Sequence, residues 1–184
     1  MTDPNPMAMI DRLARIAAHD AHTAGLKPVQ WEALRFLARA NRFSRTPGAL
    51  TAYLGATKGT VSQTLMTLER AGYVEKSADD ADRRTVRLEL TDAGKDMLAR
   101  DGTERMQSAL KSIGEADREA LAAGAAALLK ARIEIDGGRA FGICRECRHF
   151  ERDAQGPRQH FCRLLKEPLN EGDAANICVE QEAA

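Results

Sequence analysis

Residues 46–90 constrain this 184-residue chain more than any other stretch. Thr46-Pro47 is a helix start, an N-cap hydroxyl followed by a proline whose missing N–H costs nothing in the first turn. The helix it opens is short, carries Leu50, Tyr53 and Leu54, and stops at Gly55. Thr57 caps a second helix through Ala71, with Gly72 at the exit and Val61, Leu65 and Leu68 at i, i+4 and i+7 on one inward face. Residues 73–76, a charged turn over 77–84, and the alternating Thr85-Val86-Arg87-Leu88-Glu89-Leu90 make a β-hairpin. Short helix, tight turn, helix and hairpin, in that order, predict a winged helix-turn-helix.

Helices flank this unit on both sides. Met9, Ile10, Leu13, Ile16 and Ala17 recur at helical spacing, and Pro28 opens a helix carrying Val29, Trp31, Leu34, Leu37 and Ala38. Beyond the hairpin, Thr91-Asp92 opens a helix expected to run to about Ser112. Asp117 caps another to about Ile133, so rich in alanine that close helix–helix packing is its expected use.

Lys plus Arg and Asp plus Glu balance at 27 each, but unevenly: residues 28–91 carry +3 and residues 92–184 carry −3. A uniformly basic nucleic-acid coat is excluded; a local basic surface is not. No apolar run approaches the ~20 residues of a membrane span. Residues 1–12 lack the basic-then-apolar pattern of a secretory signal, so a cytoplasmic chain without a membrane partner is expected.

With Val61, Leu65 and Leu68 facing in, about 100° per residue places Gly59, Thr60, Ser62, Gln63, Met66, Thr67 and Arg70 on the outer arc. Small hydroxyls and a glutamine can bond base edges and phosphates in a major groove, and Met66 suits a thymine methyl. Gly59 allows close backbone approach at the helix N-terminus, where Lys58 adds charge. Arg83 and Arg84 at the hairpin tip suit a minor groove. The plainer reading of the tip is a salt-bridged turn in which Asp79 or Asp82 neutralises an arginine. Both are expected, one arginine braced and the other reaching DNA.

Thr57-Lys58-Gly59-Thr60-Val61-Ser62-Gln63-Thr64-Leu65-Met66-Thr67-Leu68-Glu69-Arg70-Ala71-Gly72-Tyr73-Val74 resembles the recognition helix of the MarR family of bacterial regulators. So does the wing, with Asp82-Arg83-Arg84 and the exit Leu88-Glu89-Leu90-Thr91-Asp92-Ala93-Gly94. The resemblance covers about residues 26–132; Lys27-Pro28 stands where the family often has a threonine N-cap. It implies a mainly α fold with a small β-hairpin wing, in a homodimer whose helices intertwine through residues 7–23 and 93–133. It further implies transcriptional repression on double-stranded DNA. Two-fold symmetry then calls for a pseudo-palindromic operator with half-sites about 34–36 Å apart.

All four cysteines, Cys144, Cys147, Cys162 and Cys178, lie beyond a polar joint, Ile135-Asp136-Gly137-Gly138-Arg139. The reading is a regulator over residues 1–139 and a small Cys-rich module over 140–184. In a reducing compartment disulfides are the weaker choice. Four thiolates can close a Zn2+ site or hold a [4Fe–4S] cluster, and free redox thiols are a third choice. Only Cys144 and Cys147 form a close pair, whereas zinc ribbons offer two. One close pair followed by two spaced cysteines is similar to the spacing in high-potential iron–sulfur proteins. Phe141, Phe150 and Phe161 flank the cysteines, Arg145, Arg148 and Arg163 offset thiolate charge, and His149 and His160 read as polar neighbours.

A DNA-binding regulator is the leading function. Its signal is either the state of the cysteine centre or a small effector, such as an aromatic or phenolic molecule, with the tail purely structural. Against an enzyme stand the absence of a Gly-rich phosphate loop, of a His-x-x-x-His pair and of a Ser-His-Asp arrangement. A thiol redox enzyme on Cys144 and Cys147 lacks a preceding strand-then-helix context. A protein-interaction role for the tail is the remaining alternative.

Overall fold

The computed structural model describes residues 5–20, 25–79, 83–138 and 141–183. α1 (Pro6–Asp20) is followed by α2 (Pro28–Arg39), α3 (Pro47–Leu54) and α4 (Lys58–Arg70). Each start has a local cause. The Gln30 side chain accepts the Lys27 N–H at 2.7 Å, replacing the absent threonine cap of α2. Thr46 accepts the Ala49 N–H at 3.1 Å, and Thr57 the Thr60 N–H at 3.2 Å. Gly55 and Gly72 turn the chain out of α3 and α4 at φ of 58° and 75°, where a Cβ is unfavourable.

β1 (Val74–Ala78) and β2 (Val86–Leu90) pair antiparallel with Val74 opposite Leu90 and Ala78 opposite Val86. β1 runs on through Ser77 and Ala78, so the tip is shorter than the sequence suggests. The core beneath is Trp31, Leu34, Phe36 and Leu37 of α2, Leu50 of α3, Val61, Leu65 and Leu68 of α4, and Val74 and Leu88 of the hairpin, all buried. Each fully buried aliphatic side chain contributes roughly 1.5–3 kcal/mol.

The long helix expected from Thr91 is two helices, α5 (Asp92–Leu98) and α6 (Glu104–Ser112). Between them the Arg100 and Asp101 N–H groups close tight turns on Met97 and Leu98. The Asp101 carboxylate takes Arg35 of α2 in a two-pronged bond, 2.6 Å on each oxygen, which holds the chain against the winged unit. A Cβ at Gly94 would collide with the Tyr73 carbonyl, so glycine lets α5 close onto the hairpin base. α7 (Glu115–Ile135) has no buried residue in the single chain.

The tail forms two small sheets. β3 (Gly142–Ile143) pairs with β7 (Ile177–Cys178), while β4 (Phe150–Glu151), β5 (His160–Cys162) and β6 (Glu167–Leu169) form an antiparallel meander. Asn170 caps α8 (Glu171–Ala175) by accepting the Asp173 N–H at 2.8 Å. Arg139, where the sequence reading ends the regulator, lies outside the described residues. The tail lies against the winged unit: Ile177 is buried in the main core, and Phe141 meets Phe36 and Tyr53 edge-on at 6.0 and 5.2 Å.

Candidate nucleic-acid interface

α4 presents its polar side outward because Val61, Leu65 and Leu68 are fixed in the core on the other. Lys58, Gly59, Thr60, Ser62, Gln63, Thr67 and Arg70 are exposed, and Met66 is half-buried. Two of the hydroxyls already have work. Thr60 Oγ1 lies 2.9 Å from Thr57 Oγ1, and the Thr67 hydroxyl donates to the Gln63 carbonyl at 2.9 Å. Thr64, which faces inward, donates to the Thr60 carbonyl at 2.9 Å. In the last turn of α4, Glu69 is drawn to Lys76 of β1 at 2.6 Å and leaves the outer arc less acidic.

Arg83 and Arg84 are exposed at the wing. Asp80, Ala81 and Asp82, which the sequence reading places at the tip, lie outside the described residues. Asp79 pairs with Arg87 of β2 at 2.5 Å. Arg87 then reaches back and donates to the carbonyls of Arg42 and Phe43 at 3.1 and 3.0 Å. The Leu88 N–H donates to the Arg45 carbonyl at 2.8 Å, and the Arg45 guanidinium pairs with Glu89 at 2.6 Å. The wing is therefore anchored to the loop that joins α2 to α3.

That same loop receives the tail from its other side. The Asn41 N–H donates to the Ile177 carbonyl at 2.9 Å, and the Ser44 hydroxyl accepts the Val179 N–H at 2.9 Å. Arg42 pairs with Asp173 at 2.9 Å and donates to the Pro168 carbonyl at 2.5 Å. Phe43 packs on the cysteines, with the Arg42 guanidinium 4.5 Å above its ring. Residues 41–46 thus lie between the wing and the cysteine tail. Sequence reading missed this loop, whose only signal is two arginines and a phenylalanine between two helix signals.

All four cysteines are free, and Cys144, Cys162 and Cys178 share one buried cluster with Leu169. Burial and the neighbouring Cys178, Cys162 and Cys147 push the Cys144 thiol up to about 12. Among the described residues no three Cys, His, Asp or Glu side chains form a group that could hold a metal ion. His160 stands beside the cluster, its Nδ1 accepting the Asp153 N–H at 3.0 Å and its Nε2 3.2 Å from Glu171. Arg145 donates to the Ala174 carbonyl and Arg163 to the Arg148 carbonyl, which ties both to the tail backbone.

The comparisons with known proteins bear on the winged unit. Residues 24–85 match the MarR family model. That span takes in α2, α3, α4 and β1. The S. aureus MepR–DNA complex superposes with a TM-score of 0.57 at 18% identity, over 70% of this chain and 99% of that one. Streptococcus pneumoniae FabT in complex with DNA gives 0.57 at 21%, over 70% and 93%. A MarR transcriptional regulator from Methanosarcina mazei Go1 gives 0.56 at 22%, over 70% and 94%. The fold of this chain is therefore similar to that of these three proteins. No curated protein matches the chain. No helix among the described residues is long and apolar enough to cross a membrane.

Proposed function

We propose that the chain is a MarR-family transcriptional regulator that binds a pseudo-palindromic operator in double-stranded DNA as a homodimer and represses transcription from it. The observation that carries this is the outward face of α4: exposed, flanked by Lys58 and Arg70, and backed by an apolar core. MepR and FabT, which share the fold, were solved with DNA. Base edges are read by Ser62 and Gln63, since the hydroxyls of Thr60 and Thr67 already have partners on the helix. Lys58 and Arg70 contact phosphates, and Arg83 and Arg84 enter the flanking minor groove.

The dimer is supported by the apolar surface of the helices outside the winged unit. Met7, Leu13 and Ile16 of α1 and Leu121, Leu128 and Leu129 of α7 are each 46–61% exposed in the single chain, and a second copy covers them. Selection of bound sequences from random duplexes tests the reading. Two inverted half-sites about one helical turn apart are expected. A single asymmetric half-site would contradict it.

The signal reaches the DNA-reading unit through the tail, because residues 41–46 touch both the cysteine cluster and the wing. A second reading has its own observation. A cleft of about 390 Å³, lined by Ala17 of α1, Arg39 of α2, and Met106 and Leu110 of α6, is large enough for a small aromatic or phenolic acid. In that case the tail is structural. A ligand that weakens DNA binding in the native chain but not in Arg39→Ala would favour the cleft.

A further inference from the structure

We propose that Arg87 is a positioning residue for DNA reading: its guanidinium fixes the angle at which the wing presents Arg83 and Arg84, and it does not itself meet DNA. This rests on the proposed DNA-binding function and names the residue that orients one of its two contact elements.

Three segments meet at this one side chain. Arg87 is the second residue of β2 and stands opposite Ser77 in the hairpin register. Its Nε donates to the Asp79 carboxylate at 2.5 Å, and its Nη1 donates to the Arg42 and Phe43 carbonyls at 3.1 and 3.0 Å. Asp79 is where the hairpin closes, its N–H donating to the Thr85 carbonyl at 2.9 Å. The guanidinium therefore ties the foot of the tip, on the β1 side, to a loop outside the hairpin. Arg83 and Arg84 lie in the turn beyond that closure, so the direction of the tip follows the clamp.

A two-stranded ribbon needs such a tether, because alone it is marginal in water and its twist varies widely. The base of this one is held: Val74 and Leu88 are buried in the core, and the Leu88 N–H donates to the Arg45 carbonyl at 2.8 Å. Beyond the base, Glu75 to Ala78 of β1 are exposed and pack on nothing that would fix the tip. Arg87 takes hold at that outer part.

Burial and geometry mark Arg87 as a clamp rather than a DNA contact. Its side chain is 25% exposed and that of Asp79 16%, whereas Arg83 and Arg84 are exposed. A guanidinium carries five N–H donors in a rigid plane, so one arginine holds a carboxylate and two carbonyls in set directions. A lysine keeps the charge, but as a point charge on a flexible stem it does not hold that set together.

The test separates charge from geometry, on the full chain and in two arms. Without DNA, Arg87→Lys is compared with the native chain by hydrogen exchange. Exchange at the Asp79 N–H should speed up several-fold, with the middle of α4 unchanged. With DNA, operator affinity at one salt concentration is measured for the native chain, for Arg87→Lys, for Arg83→Ala with Arg84→Ala, and for all three changes together. Losing the two tip arginines should cost about 5-fold or more in the native background and less than about 2-fold in the Arg87→Lys background. Asp79→Asn, which takes the charge from the other end of the clamp, carries both arms should Arg87→Lys fail to fold. Unchanged exchange in the hairpin, or an equal cost of the tip arginines in both backgrounds, would overturn the inference. A native chain that binds no operator overturns the regulator, and the exchange arm then decides the clamp by itself.

Discussion

The winged unit and the cysteine tail are held together by different forces. In the first, Trp31, Leu34, Leu37, Leu50, Leu65 and Leu68 are at most 2% exposed and close over one another from three helices. The tail has strands of two or three residues, and beside its cysteines it buries Leu169, Ala174 and Ile177. Ile177 belongs to the core of the winged unit rather than to the tail's own. A segment of this size has too little apolar surface to fold alone and needs a metal centre or a neighbour. Here it has both the neighbour and four cysteines. A unit with its own core keeps its shape whatever the tail does; a tail without one depends on what it leans on, which is residues 41–46.

The largest expected effect breaks the self-sufficient side. Leu68→Ala empties a fully buried site in α4 and should cost about 2–5 kcal/mol, read by denaturant unfolding. Ile177→Ala, at 5% exposure, should cost a similar ~2–4 kcal/mol although it lies in the tail. A loss under ~0.5 kcal/mol would mean the two regions are not fused through that residue.

Gln63→Ala sharpens the contrast between reading and folding. It should leave stability within about 0.5 kcal/mol while costing ~1–3 kcal/mol of operator affinity by titration. Asp173→Asn removes the charge that Arg42 meets at 2.9 Å; because Arg42 is 42% exposed, a cost of about 1 kcal/mol is expected. Hydrogen exchange should then speed up at Asn41 and Ser44 and stay unchanged in the middle of α4. The smallest effect is Lys58→Ala, expected to lower the slope of log affinity against log salt by about one.

The helix-turn-helix was legible because its signals are local. Thr46, Gly55, Thr57 and Gly72 each act within three or four residues of themselves, and Val61, Leu65 and Leu68 report one face. The break between α5 and α6 was not, because Met97, Leu98, Met106 and Leu110 continue an apolar pattern across it; the pull on Asp101 comes from Arg35, 66 residues away. The pairing of Arg87 with Asp79 was not legible, because it depends on which residues the strand register places together. Least legible was the docking of the tail. The bond from Asn41 to Ile177 and the burial of Ile177 in a distant core leave no trace in either segment's own pattern.

On the proposed function, a change at the four cysteines alters operator affinity through residues 41–46. The most direct measurement is operator affinity at one fixed salt concentration, for the native chain and for a form with Cys144, Cys147, Cys162 and Cys178 replaced by serine, each with and without Arg42→Ala. Replacing the cysteines is expected to change Kd by about 5-fold or more, and Arg42→Ala to remove most of that difference. Equal affinity with and without the four cysteines would contradict the proposed role of the tail.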